Sequence, residues 1–286
     1  MAQPTDDDST LSRIRNHYQH LPPSERKLAD LILDFPGDVA SYSATELADL
    51  AGVSKAAATR LFRRLGYDSF EQARRSAREQ QDWGSPLYML SQKPEIDVPD
   101  SYLRRQMEQE LAMMARTFEA LDLRKLERLG KSLMGARRIW LLGYRHSYFL
   151  ADYARWQFLQ VRDQVQLLVS EGSTLAEQMV SFSSDDIVVA IGFRRRTLRF
   201  RQTLRIIQKK KIPILYITEP NVGATINFAT WVLHADVSGG GPFDSYPAAS
   251  SLIHLLSIVM LKHAGREGRE RIQRVEDIHT ELHDFD

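Results

Sequence analysis

Along the first 80 residues, apolar positions recur every three or four residues in short runs, and a helix stop ends each run. Leu11 to Tyr18 predicts a short helix that Pro22-Pro23 ends. Ser24 caps the next, in which Leu28, Leu31, Ile32 and Phe35 share one face before Pro36. Ser43 and Glu46 form a Ser-x-x-Glu capping box. The helix they open should turn Leu47, Leu50 and Ala51 inward. Gly52 stands where a left-handed residue ends a helix. Val53 fills the turn and Ser54 caps a further helix that starts at Lys55. In that helix Ala58, Leu61, Phe62 and Leu65 point inward. Ala56, Thr59, Arg60 and Arg63 follow the same spacing on the outer side. Tyr67 to Gln81 continues as a turn and a basic helix.

Beyond residue 81 the pattern breaks at Trp83-Gly-Ser-Pro86 and again at Lys93-Pro and Val98-Pro99, so 82–99 reads as a linker. Tyr102 to Leu121 predicts a long helix whose Met107, Leu111, Met114, Phe118 and Leu121 make a short heptad seam. Leu123 to Met134 predicts another helix. From Arg137 the period changes to α/β. Strands are expected at Ile139–Leu142, Val165–Val169, Ile187–Ile191, Ile214–Ile217 and Trp231–Leu233. Helices are expected at Tyr148–Gln160, Thr174–Phe182, Leu198–Lys211, around Val222–Ala229, and at Pro247–Ala264. Strands alternating with helices imply a doubly wound, mostly parallel five-stranded sheet. The expected organisation is an α-helical helix-turn-helix domain (1–81), a linker, and an α/β domain (100–286). Ligands of such sheets bind at the carboxyl ends of strands, which points to the loops Gly143 to Ser147 and Gly192 to Thr197.

Composition narrows the classes. The 286 residues are 43% hydrophobic and 26% charged, as in a globular protein. The absence of cysteine removes disulfides, zinc-thiolate sites and cysteine nucleophiles. An acidic, polar start (Met1 to Thr10) reads as disordered and unlike a signal peptide. No apolar run looks long enough to span a bilayer. The expectation is a cytoplasmic protein. The formal net charge is only +1, but its distribution is uneven. Between Gly52 and Arg78, Lys55, Arg60, Arg63, Arg64, Arg74, Arg75 and Arg78 face only Asp68 and Glu71. Such a basic patch suits nucleic acid.

The outer face of the helix from Lys55 fits the major groove of DNA. Ser54 and Ala56 are small enough to let the backbone approach, Thr59 can touch a base or a thymine methyl, and Arg60 can pair with guanine. Lys55, Arg63 and Arg64 suit phosphates. An ordinary helical hairpin with a solvated basic face is the competing explanation.

These residues resemble the RpiR family of bacterial transcription regulators, which join a helix-turn-helix domain to a sugar-isomerase (SIS) domain that senses a phosphosugar. The resemblance rests on Glu46-Leu-Ala-Asp-Leu-Ala-Gly-Val-Ser54, on Thr59-Arg60, on Arg63-Arg-Leu-Gly-Tyr67 and on Leu142-Gly-Tyr-Arg-His-Ser147. It implies that Ser147 faces the ligand. The family's second ligand loop, Ser-x-Ser-Gly-x-Thr, is here Gly192-Phe193-Arg194-Arg195-Arg196-Thr197. Only Thr197 is kept. Arginines bring permanent charge and paired donors, so an anionic metabolite is expected, carrying a carboxylate or a phosphate. Arg194, Arg195, Arg196, Thr197 and Ser147 are its candidate contacts, followed by Arg145 and His146. Ser147 as a mere helix cap, and the arginines as a solvated face, are the alternatives. No cofactor and no metal is expected, His279 and His283 notwithstanding. Partners should be operator DNA and a second or further copy of the chain, without a membrane. The alternative function is an aldose–ketose isomerase, with Glu219, Glu171 or His254 as base.

Overall fold

The computed structural model describes residues 10–34, 39, 42–79, 102–168, 174–194, 196–220, 224–239 and 243–285. The expectations placed on residues 1–9, on Phe35 and Pro36, on all of 82–99, on Glu171 and on Arg195 fall outside this set.

Among the described residues, the first part of the chain forms α1 (Thr10–His17), α2 (Pro23–Asp34), α3 (Ala44–Ala51), α4 (Lys55–Arg64) and α5 (Phe70–Glu79). The expected capping chemistry forms. Ser43 Oγ accepts from the Glu46 amide at 3.2 Å, and the Ser43 amide donates to the Glu46 carboxylate at 2.7 Å. Gly52 ends α3 at φ 64°, ψ 42°, a left-handed conformation that costs glycine little. The Ser54 side chain then caps α4 through the Ala57 amide. Leu47 and Ala48 from α3 and Ala58, Leu61 and Phe62 from α4 are fully buried against Leu28, Leu31 and Ile32 of α2. One expected core position fails: Leu50 is 41% exposed. With Leu47 and Ala48 turned into the bundle, the 100° step per residue carries Leu50 to the edge of that face.

Two helices, α6 (Tyr102–Glu119) and α7 (Leu123–Gly135), lead into the sheet. There follow β1 (Ile139–Gly143), α8 (His146–Leu159), β2 (Val165–Leu167), α9 (Leu175–Val180), β3 (Ile187–Ile191), α10 (Leu198–Lys209), β4 (Ile214–Thr218), a 3-10 turn (Ala224–Phe228), β5 (Trp231–His234) and α11 (Pro247–Leu282). All pairings are parallel, in the order β2-β1-β3-β4-β5. Residue alternation sends Ile139, Leu141, Val189, Ile191, Leu215 and Ile217 to one face, under α7, α8 and α11. Trp140, Leu142, Val188, Ala190, Ile214 and Tyr216 go to the other, under α9 and α10. The strand order reverses direction between β1 and β3. This is the switch point at which doubly wound sheets bind ligands.

Two expectations need correction. The last helix does not end near Ala264: it runs to Leu282 with a break at Gly265, so His279 lies on a helix and His283 caps it, where a polar tail was expected. That helix is also long and apolar enough, by length and composition alone, to cross a membrane, where no such run was expected. Its apolar side chains Leu252, Ile253, Leu256 and Met260 are buried on the sheet, as expected for a core helix.

The two halves touch. Leu198, at the start of α10, packs against the helical core of the first half. Arg201 lies close enough to act electrostatically on Asp30 of α2. The 3-10 turn at Ala224–Phe228 also rests on α2.

Candidate functional site

Helix α4 has the two faces that its sequence requires. Ala57, Ala58, Leu61 and Phe62 are buried, while Ser54, Lys55, Ala56, Arg60, Arg63 and Arg64 are exposed and Thr59 is half-exposed. The Thr59 hydroxyl donates back to the Lys55 carbonyl at 3.2 Å. What the sequence did not reveal is Glu25. It lies in the first turn of α2, 39 positions before Arg64, and its side chain is only 2% exposed. It accepts from Arg64 Nε at 2.9 Å and lies 3.6 Å from Arg60 Nε. A buried carboxylate thus steadies two of the basic residues on the outer face. No local pattern marks such a contact, because it is made between helices.

At the switch point, the loops after β1 and β3 come together. Ser147 is buried at the start of α8 and lines a small pocket with Tyr144, Gly192, Arg196, Thr197 and Phe200. The helix starts at His146, with Arg145 as its N-cap at φ 56°. Ser147 therefore sits inside the helix and does not cap it. Arg145 and His146 are exposed. The His146 ring stacks on Tyr246, which also meets Phe149 and Phe193. Burial pushes the Tyr246 hydroxyl well above its ordinary value, and the neighbouring Asp244 adds to the shift.

Of the described arginines in the second loop, Arg196 is held inside the protein and Arg194 is half-buried. Arg194, at φ 33°, donates through a guanidinium nitrogen to Asp244 at 2.7 Å. Arg196 is only 3% exposed at its side chain. It donates to the Tyr216 hydroxyl at 2.6 Å, to Thr218 Oγ1 at 2.8 Å and to the Glu219 carboxylate. Glu219 accepts in turn from the Arg194 amide at 3.2 Å and from the Thr218 hydroxyl at 3.1 Å. Burial works against the charge on Arg196, but Tyr216 and Glu219 more than compensate and its pKa is raised. Thr197 caps α10 by accepting from the Phe200 amide at 3.2 Å. A Cβ on Gly192 would fall 2.7 Å from the Phe200 ring. The ring of Phe200 thus fills the space that a side chain at position 192 would need. Arg199, Arg205 and Lys209 to Lys211 lie on the exposed side of α10 and beyond it. The solvated-face reading of the arginines therefore holds for these residues and fails for Arg196.

Of the isomerase candidates, Glu219 is engaged with Arg196 and His254 is exposed on α11.

Comparison with known proteins agrees with the two-part architecture. Residues 9–79 match the model of the helix-turn-helix domain of the rpiR family, and residues 132–259 match that of the SIS domain. The HTH-type transcriptional regulator YbbH of Bacillus subtilis is 26% identical, over 88% of each chain. The HTH-type transcriptional regulator HexR of Escherichia coli is 24% identical, over 93% of each chain. Among solved structures, the Vibrio vulnificus NanR protein complexed with ManNAc-6P has the same fold. It has a TM-score of 0.56 and 22% identity, and covers 95% of this chain and 98% of its own.

Proposed function

Because the chain belongs to the rpiR family of helix-turn-helix transcription regulators with a SIS domain, we propose that α4 reads operator DNA and that an anionic metabolite at the loop 192–197 adjusts that reading. The observation that carries the DNA assignment is the exposed row Lys55, Ala56, Thr59, Arg60 and Arg63, set opposite the buried Ala58, Leu61 and Phe62. Small side chains at the helix start and arginines further along match a major-groove reader. The metabolite assignment is supported by a buried arginine and a buried serine meeting at the sheet's switch point. ManNAc-6P, the compound bound in NanR, is a ligand of this class and the first to try.

One recognition helix covers only a few base pairs, so two copies acting on an inverted repeat are required. Communication between the sites has a short route. Helix α10 is capped by Thr197 of the effector loop, and its first turns meet the helical core through Leu198 and act on Asp30 of α2 through Arg201. Helix α2 in turn carries Glu25, the partner of Arg60 and Arg64.

The test is selection of a DNA site from a random pool by the full chain, followed by titration of that site with and without candidate sugar phosphates. An enriched inverted repeat, with affinity shifted by one of the compounds, supports the proposal. Failure to enrich any sequence would refute it.

A further inference from the structure

The loop that should receive the effector already holds an anion. The Glu219 carboxylate accepts from the Arg194 amide, from the Arg196 guanidinium and from the Thr218 hydroxyl. A backbone amide on a loop before a helix, a guanidinium and a hydroxyl are the donors with which proteins bind phosphate. Arg196 also lines the small pocket that holds Ser147, Gly192 and Thr197. Among the described residues, an oxyanion therefore finds the Arg196 guanidinium and the Arg194 amide already taken while Glu219 stays in place.

We propose that Glu219 is an internal competitor for the effector's anionic group, which binds by displacing the Glu219 carboxylate from Arg196 and the Arg194 amide. This rests on the reading of loop 192–197 as the effector site, and it narrows the ligand class. Arg196 is desolvated before any ligand arrives, so exchanging one anion for another avoids most of the cost of burying its charge. Glu219 retains some contact with solvent. It is also tethered, which gives it a high effective concentration. A free monocarboxylate brings the same charge and the same two oxygens and cannot outcompete it at ordinary concentrations. A phosphate monoester brings more charge and a third oxygen for the same donors. The effector is accordingly a phosphate ester.

The experiment is titration calorimetry of the full chain with inorganic phosphate and with acetate, in a buffer free of both. Wild type is compared with Glu219→Gln and Glu219→Asp. Glutamine keeps a hydrogen-bonding group without the charge, and aspartate shortens the reach by one methylene. Glu219→Gln should bind phosphate at least tenfold more tightly than wild type and should bind acetate measurably, which wild type should not. Glu219→Asp should fall between them. If loss of the carboxylate loosens the fold, phosphate should raise the melting temperature of Glu219→Gln by more than that of wild type. Equal or weaker phosphate binding by both variants, with wild type still binding, would overturn the competition and leave the anion site standing. No phosphate binding by any of the three proteins, even at tens of millimolar, would overturn both.

Discussion

Glu25 and Arg64 join the helix that begins at Pro23 to α4, the proposed DNA reader: the buried carboxylate accepts from Arg64 Nε at 2.9 Å, with Arg60 Nε 3.6 Å away. Glu25→Gln removes the charge that orients both guanidinium groups. Arg64 keeps much of its side chain in water, so the stability loss should stay near 1 kcal/mol. The larger effect should be on DNA. Non-specific affinity should rise, because a negative charge is lost beside the phosphates. The ratio of matched to mismatched affinity should fall, because Arg60 is freed. Binding curves for both sites at one salt concentration check this.

Arg60 and Lys55 should behave differently. Arg60→Ala should cost about 1–3 kcal/mol at the matched site and relax preference at one base position. Lys55→Ala should weaken every sequence about equally and lower the salt slope by about one. A salt series with matched and mismatched DNA separates the two. Wild-type operator affinity in the Arg60→Ala protein would remove Arg60 from the base-reading face.

The seam expected on α6 is split: Met107, Leu111 and Phe118 point outward, Met114 is half-buried and Leu121 packs against the sheet core. Met113 and Thr117 are the residues α6 buries, whereas Leu103, Met107, Leu111 and Phe118 stay exposed. This apolar face is the proposed contact with a second copy of the chain. Leu111→Arg would place a charge in that contact and should shift the protein toward monomer in light scattering at micromolar concentration. Its melting temperature should change little, because Leu111 is already exposed. DNA affinity should fall with the loss of the second head.

Asp186 governs stability at low pH. It is buried and accepts from Arg137, from Trp140 Nε1 at 3.0 Å and from the Ser183 amide at 3.0 Å. Burial pushes its carboxyl up, but these hydrogen bonds outweigh burial and the net shift is downward. A depressed carboxyl stabilises the fold fully above its unfolded value of ~3.9. That contribution is lost as pH falls through the lower folded value. Asp186→Asn should cost about 2–3 kcal/mol at pH 7, less than the ~3–5 kcal/mol of a fully buried broken pair, because 44% of the Arg137 side chain stays exposed. The variant should also lose part of the acid sensitivity below pH 4. Urea melts of both proteins from pH 7 to pH 3 check both points.

Gly192 and Phe200 should prove coupled. Gly192→Ser restores the serine of the family pattern but sets its Cβ against the Phe200 ring. Overpacking of this kind costs about 1–3 kcal/mol. Phe200→Leu in the same chain should recover much of the loss, giving a coupling energy above about 0.5 kcal/mol in a double-mutant cycle. Additive effects would mean that the ring gives way freely.

What the sequence determined on its own was local. The Ser43–Glu46 capping box, the glycine turn, the two faces of α4 and the alternation of strands with helices follow from rules that act within a few residues. All of these appear as expected, in a parallel sheet with the candidate ligand loops after β1 and β3. The arginines of loop 192–197 were also legible, as residue types without room in a serine-lined cradle. What only the tertiary structure decided was where those charges go. Arg196 turns inward because Tyr216, Thr218 and Glu219, about 20 residues later, meet it at the end of the neighbouring strand β4. Arg60 and Arg64 are steadied by an acid from α2. The face of α6 that stays open was settled by packing on the rest of the chain. Propensity and periodicity act between near neighbours, whereas a charge is satisfied by whatever the fold brings within about 4 Å of it.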